Sequence, residues 1–262
     1  GARGDFMNKE AVVYFVGAGP GDPELITVKG KRLLEAAEVV VYAGSLIPPA
    51  TLAYAKQAEL YDSAKLTLEE ILAILVFAAK AGKTVVRLAS GDPSIYGTIG
   101  EHAEGLRAQG VEVNIVPGVS SFTAAAAALS KELTIPDVAQ TVILSRCEGR
   151  TPVPDLEKLP LLAAHQTTLV LFLSIQLVKQ MQQDLLTAYA PETPCAVVYR
   201  VTWPDELIIR CTLSDWTAQR REANTTKTAL VTVGKALSAE GMRSKLYDPA
   251  FTHSFRKGKP LE

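Results

Sequence analysis

The stretch Val13-Tyr14-Phe15-Val16-Gly17-Ala18-Gly19-Pro20-Gly21-Asp22-Pro23-Glu24-Leu25 decides how the chain is read. An apolar, β-prone run stops at a turn holding three glycines and two prolines. From about Thr27, apolar residues then recur at helical spacing (Val28, Leu33, Leu34, Ala37). This is strand, loop and helix, the opening of an α/β unit. Glycines in the loop let a ligand approach the backbone closely. An ordinary strand–helix turn accounts for them equally well, so the rest of the chain must choose.

The same alternation continues outward. Residues 39–42 (Val-Val-Val-Tyr) form an apolar run suited to a strand buried on both faces, and Pro48-Pro49 opens another helix. Residues 68–81 predict a helix stopped by Gly82. Residues 84–89 predict a strand ending in Ser90-Gly91-Asp92-Pro93-Ser94-Ile95-Tyr96-Gly97, followed by a helix to about Gln109. Residues 111–116 predict a strand closed by Pro117-Gly118-Val119-Ser120-Ser121. Alternating strands and helices imply a mostly parallel sheet covered by helices.

Beyond this point the pattern changes. Residues 120–129 are alanine-rich and helical, with Ser120 or Ser121 placed to cap them. Strands are expected at 141–146, 168–173, 196–201, 207–212 and 229–233, with helices at about 174–189 and 213–223. The connection Thr202-Trp203-Pro204-Asp205-Glu206 is too short for a crossover and predicts an antiparallel hairpin. The expectation is two α/β domains, 7–118 with a mostly parallel sheet and 119–242 with a mixed sheet. A charged tail follows at 243–262, and a site between the domains is the geometric default. Gly1–Phe6 precede a Met7 that reads as a natural start and are set aside.

Composition narrows the function classes. A formal net charge of -1 gives no electrostatic reason to expect nucleic acid or an anionic membrane as partner. No apolar run approaches the roughly 20 residues a bilayer span needs. Cys147, Cys195 and Cys211 are odd in number and widely spaced, which suits a reducing cytoplasm and matches no metal motif. His102, His165 and His253 are not clustered, and no catalytic triad or metal spacing emerges.

The first loop fails two tests for a dinucleotide. It lacks the third glycine at the required spacing, and no acid follows the strand at 39–42. It also lacks the Gly-Lys-Ser/Thr ending of a phosphate loop, and Asp22 and Glu24 would repel a pyrophosphate. A neutral or cationic ligand fits better. Loops at the carboxyl ends of parallel strands line the ligand crevice of open α/β folds, so Ser90–Gly97 and Pro117–Ser121 belong beside the first loop. Asp92 suits a ribose hydroxyl or an ammonium group, though Asp-Pro is also a common turn element. Arg146-Cys147-Glu148-Gly149-Arg150 reads either as a solvated loop or as an anion clamp.

Taken in order, residues 17–27, 87–93 and 116–121 resemble the three signature segments of the tetrapyrrole methylase family, and the likeness covers nearly the whole chain. Four further segments resemble its branch that methylates C11 of precorrin-4 or cobalt-precorrin-4 in cobalamin synthesis. They are Val41–Ile47, Glu148–Pro154, Trp203–Glu206 and Leu246–Phe251. The resemblance implies a cytoplasmic homodimer with S-adenosylmethionine held between the two domains and S-adenosylhomocysteine as product. By position, Pro20 would lie near the cofactor, and Ser90, Gly91, Asp92 and Ile95 would hold its methionine part. Ser120 and Ser121 would hold its other polar groups, and Leu173, Val201 and Ala229 would wall the adenine. A polycarboxylate corrin precursor needs cations, for which Arg146, Arg150, Arg200 and Lys227 are the candidates, with Tyr42 and Trp203 as packing surfaces. No dedicated nucleophile is expected. Ala43 stands where related uroporphyrinogen methylases have an acid, so no acid–base role transfers there. The rival readings are a methylase acting at another position of the ring and a nucleotide-binding module without chemistry.

Overall fold

The computed structural model describes residues 10–97, 99–146, 153–173, 178–216 and 229–238. The chain divides into two compact units, one of residues 1–124 with 201–205, the other of 125–200 with 206–262.

In the first unit five strands form one parallel sheet, β1 (Val12–Gly17), β2 (Val39–Tyr42), β3 (Glu59–Asp62), β4 (Val85–Ala89) and β5 (Glu112–Val116). Their order is β3-β2-β4-β1-β5, so the second and fourth strands of the chain are neighbours. Alternation of side chains sends the strands' residues to two cores. Val13, Phe15, Val39, Val41 and Val85 meet Ile71, Leu75 and Leu106 on one face. Val16, Val40, Val86 and Leu88 meet Leu33, Leu34 and Ile47 on the other. The helices are α1 (Val28–Ala36), the single turn α2 (Pro49–Leu52), α3 (Leu68–Lys80) and α4 (Ile99–Ala108). Helix α5 (Ser121–Ala128) carries the chain into the second unit.

Strand β3 escapes a reading based on apolar runs. Its Glu-Leu-Tyr-Asp sequence is exposed or half-buried because it is an edge strand, held by main-chain bonds to β2 alone. Helix α3 shows the opposite case, where sequence and structure coincide. Thr67 Oγ1 accepts from Glu70 N at 3.1 Å, and Glu70 Oε1 accepts from Thr67 N at 3.2 Å. This reciprocal pair satisfies two donors at the helix start.

The second unit holds the mixed sheet β6-β7-β10-β8-β9. Its strands are β6 (Val142–Arg146), β7 (Thr168–Leu173), β8 (Pro194–Tyr199), β9 (Leu207–Thr212) and β10 (Ala229–Val233). Only β6 and β7 run parallel; β8 and β9 are antiparallel, as the short connection requires. Leu169, Leu171, Val197, Tyr199 and Val231 pack on Met181 and Leu185 of α7 (Val178–Leu186) and on Trp216. A short helix, α6 (Leu159–Ala163), adds Ala163 to the same core. Strand β8 ends at Tyr199, before the expected Val201, because Arg200 and Thr202 turn to positive φ values of 46° and 67°. The expected helix at 213–223 has only its start, at Trp216, among the described residues, and the tail at 243–262 lies outside them.

Thr67→Ala removes the cap of α3 and should cost about 1 kcal/mol, read as a lower urea midpoint at unchanged slope.

Candidate functional site

Strands β4, β1 and β5 are adjacent, so the loops leaving their carboxyl ends meet. They meet backbone to backbone. Ala18 N donates to Ala89 O at 2.7 Å, Gly19 N to Gly91 O at 3.2 Å, and Gly91 N to Gly19 O at 2.8 Å. A Cβ on Gly17 would stand 2.7 Å from both Gly118 Cα and Gly91 O. A Cβ on Gly118 would overlap the Gly91 carbonyl oxygen. The obstructing atoms are main chain and cannot swing aside, so glycine is the residue this packing admits.

A fourth segment joins them from far along the chain. Residues 201–205 belong to the first unit, and Trp203 Nε1 donates to Pro20 O at 3.0 Å while Asp22 N donates to Thr202 Oγ1 at 2.8 Å. Trp203 lies so close to Gly21 that a Cβ there would overlap its Cδ1. Thr202 is β-branched at positive φ, a strained geometry that persists only where surrounding contacts impose it.

These contacts decide between ligand classes. The amides of residues 18, 19, 22, 24 and 25 are all engaged within the protein, Glu24 N by the Asp22 carboxylate at 2.9 Å. A phosphate cradle requires such amides to be free and aimed at the anion. Side chains remain among the unengaged polar groups. Ser120 is 7% exposed, and its hydroxyl and those of Ser90 and Ser121 have no hydrogen-bond partner among the described residues. Asp92 is held by its own turn, Oδ1 accepting from Ser94 N at 3.3 Å and Oδ2 from Ser94 Oγ at 3.1 Å. Ile95 N donates to Asp92 O at 3.1 Å and closes that turn. Each carboxylate oxygen keeps capacity for a further donor. Gly91, at φ 62°, lies against Ser120, whose Cα would be 3.7 Å from a Cβ there.

Of the residues singled out from sequence, Pro20, Tyr42, Ser90, Gly91, Asp92, Ile95, Ser120, Ser121, Val201 and Trp203 fall in the first unit. Tyr42 ends β2 and is half-buried. In the second unit Leu173 and Ala229 are direct cross-strand partners, and Ala229 also faces Tyr199. Arg146 is exposed at the end of β6 and borders a cavity of about 380 Å³ whose lining holds Lys158 but also Glu157 and Asp184. Two acids and two cations thus share this lining. Arg200 belongs to this unit, while Arg150 and Lys227 lie outside the described residues. Sequence reasoning passed over Thr202, and it took Trp203 for a substrate surface where it also anchors the Pro20 carbonyl. The available signal was the glycine at 21, which makes room for an indole.

The chain is similar to known proteins over most of its length. The family described as Tetrapyrrole (Corrin/Porphyrin) Methylases matches residues 12–217. A cobalt-precorrin-4 C(11)-methyltransferase of Methanocaldococcus jannaschii is 50% identical over 254 residues, 96% of this chain and 98% of that protein. The X-ray structure of a cobalt precorrin-4 methyltransferase, a cobalamin biosynthetic enzyme, superposes with a TM-score of 0.85 at 48% identity, covering 87% of this chain and 96% of that one. A uroporphyrin-III C-methyl transferase from Thermus thermophilus, in complex with S-adenyl homocysteine, has a TM-score of 0.72 at 33% identity, covering 86% and 98%.

Gly118→Ala should destabilise the protein by about 1–3 kcal/mol through overpacking against main chain. Gly100→Ala, in α4 with nothing within 4 Å of the added methyl, should stabilise it by roughly 0.5–1 kcal/mol. Paired urea titrations of the two variants read the contrast.

Proposed function

The chain belongs to the tetrapyrrole methylase family, and on that premise we propose that it transfers the methyl group of S-adenosylmethionine to C11 of cobalt-precorrin-4 or precorrin-4 in cobalamin biosynthesis. The observation that carries this reading is 50% identity over 96% of the chain to a cobalt-precorrin-4 C(11)-methyltransferase. The cofactor is supported by the family and by a relative whose structure holds S-adenyl homocysteine. The residues present fit such a molecule: a sulfonium amino acid needs no phosphate cradle, and five amides of the first loop, at 18, 19, 22, 24 and 25, are engaged within the protein.

In this reading Pro20 flanks the cofactor, and Asp92 accepts from its ammonium group within the turn formed by Ser90, Gly91 and Ile95. The hydroxyls of Ser120 and Ser121 take its other polar groups, and Leu173, Val201 and Ala229 wall the adenine. Arg146, Arg150, Arg200 and Lys227 meet substrate carboxylates, while Tyr42 and Trp203 pack against the ring. The working molecule is a homodimer in the cytoplasm. When bound, S-adenosylmethionine supplies an already activated methyl electrophile. The ring carbon, made nucleophilic by its conjugated pyrrole nitrogens, attacks in line with the departing sulfur. A carbon–carbon bond forms, the carbon–sulfur bond breaks, and S-adenosylhomocysteine is released. The protein's task is alignment and charge balance rather than covalent chemistry.

Labelled S-adenosylmethionine and a precorrin-4 source should give a product carrying the label at C11, located by mass spectrometry and NMR. Label at another carbon, or no transfer, overturns the assignment. Asp92→Ala should weaken cofactor binding roughly tenfold to a hundredfold, the value of a lost charge-assisted hydrogen bond. Wild-type affinity by calorimetry would remove Asp92 from the cofactor site.

A further inference from the structure

Arg87 is out of place in its surroundings. It occupies the third position of β4, with Phe15 of β1 and Val41 of β2 as register partners, so its side chain leaves the sheet on the apolar face. Val13, Phe15, Val39, Val41 and Val85 make up that face. Only 9% of the residue is exposed. Its hydrogen bonds both leave Nη1, to Val41 O at 3.4 Å and to Leu88 O at 3.2 Å, and both acceptors are neutral carbonyls. A guanidinium has five N–H donors in a planar fork, so the edge formed by Nε and Nη2 remains open. No carboxylate pairs with Arg87 among the described residues.

Burial alone pulls the Arg87 pKa down, with no acid to offset it. The ionisable group that feels it is His102 in α4, itself 8% exposed. The His102 pKa is lowered first by burial and then by the charge of Arg87, so it supplies no counter-charge. Glu101, on the same helix, is exposed and acts on His102 rather than on Arg87. A buried cation without a partner is costly and is retained only where something else neutralises it. The place is informative. Arg87 lies three residues before Ser90, and the carbonyl it holds on Val41 directly precedes Tyr42 at the carboxyl end of β2. This is the end of the sheet at which the ligand loops converge.

We propose that Arg87 is a substrate-binding residue whose open fork receives one carboxylate of the polycarboxylate tetrapyrrole, the missing counter-ion of the buried guanidinium. The inference rests on the reading of the chain as a tetrapyrrole methylase and adds to it a specificity residue that no loop motif identifies. A planar two-point contact selects a carboxylate at a defined position on the ring periphery, which a lysine cannot reproduce.

Uroporphyrin III, an octacarboxylate, serves as the binding probe through quenching of its fluorescence. Arg87→Met should weaken porphyrin binding at least about tenfold and raise the substrate KM in parallel, with S-adenosylmethionine affinity by calorimetry within twofold of wild type. Its Tm should be equal or higher, because an unpaired buried charge is replaced by an apolar side chain. Unchanged porphyrin affinity overturns the proposal. So does a variant that loses porphyrin and cofactor binding together with a lowered Tm, since that is the behaviour of a structural arginine. Arg87→Lys, which keeps the charge without the fork, answers the same question if the methionine variant does not fold. It should lose porphyrin affinity several-fold at unchanged cofactor affinity, and wild-type binding would overturn the assignment. A wild-type protein that binds the porphyrin in an Arg87-dependent way but methylates no corrin precursor leaves the anion site standing and refutes the proposed reaction alone.

Discussion

Backbone atoms of three distant segments, around Gly17, Gly91 and Gly118, touch at the carboxyl end of the parallel sheet, and the first unit is arranged so that they can. The contact needs β4, β1 and β5 side by side, which the strand order supplies. It needs positions without Cβ atoms at Gly17 and Gly118 and a left-handed backbone at Gly91, which the loops supply. Main-chain bonds between residues 18–19 and 89–91 then extend the pairing of β1 and β4 past the last strand residue. The loops are thereby held as a continuation of the sheet, and their side chains are presented from a rigid base. Rigid presentation is what an alignment-dependent transfer demands, because a misplacement of about 1 Å can cost two orders of magnitude in rate.

The same economy of main-chain groups defines the chemistry. With the amides of residues 18, 19, 22, 24 and 25 engaged internally, the first loop offers a phosphate little, and the carboxylate of Asp92 and the hydroxyls of Ser90, Ser120 and Ser121 are the side-chain polar groups nearby that the proposed reading uses. An acid and hydroxyls suit an ammonium and neutral polar groups. A cation that the proposed reading sets against an anionic substrate lies elsewhere, under the sheet's end, where Arg87 stands among valines. An arginine so placed weakens the apolar core it interrupts, and breaches of local rules of this kind concentrate at functional sites. The turn at residues 200–203 follows the same logic. Two hydrogen bonds, at Thr202 and Trp203, tie the strained Thr202 segment to the glycine loop.

Much of this was legible in the chain. Apolar runs marked β1, β2 and β4 because central strands of a parallel sheet are buried on both faces and advertise it in composition. The helices beginning near residues 27 and 68 were legible from apolar spacing, and the structure adds their caps, Thr27 and Thr67, each accepting from an amide three residues on. Strand β3 was not, since an edge strand held by main-chain bonds leaves no apolar trace. The early end of β8 was not, since the positive-φ turn after Tyr199 carries no local signal, and Thr202 within it bonds a residue 180 positions away in sequence. Arg87 read as part of a motif and nothing more, because burial is a property of what covers a residue.

The sequence by itself therefore determined the two-part α/β plan, the three glycine loops and the family to which they point, all of them encoded in local periodicity and in residues that only turns and close approaches require. Only the tertiary structure decided which loop amides were free, that Trp203 and Thr202 clasp the Pro20–Asp22 turn, and that Arg87 is buried without a counter-ion. Those facts depend on pairings across the chain, and no window of neighbouring residues contains them.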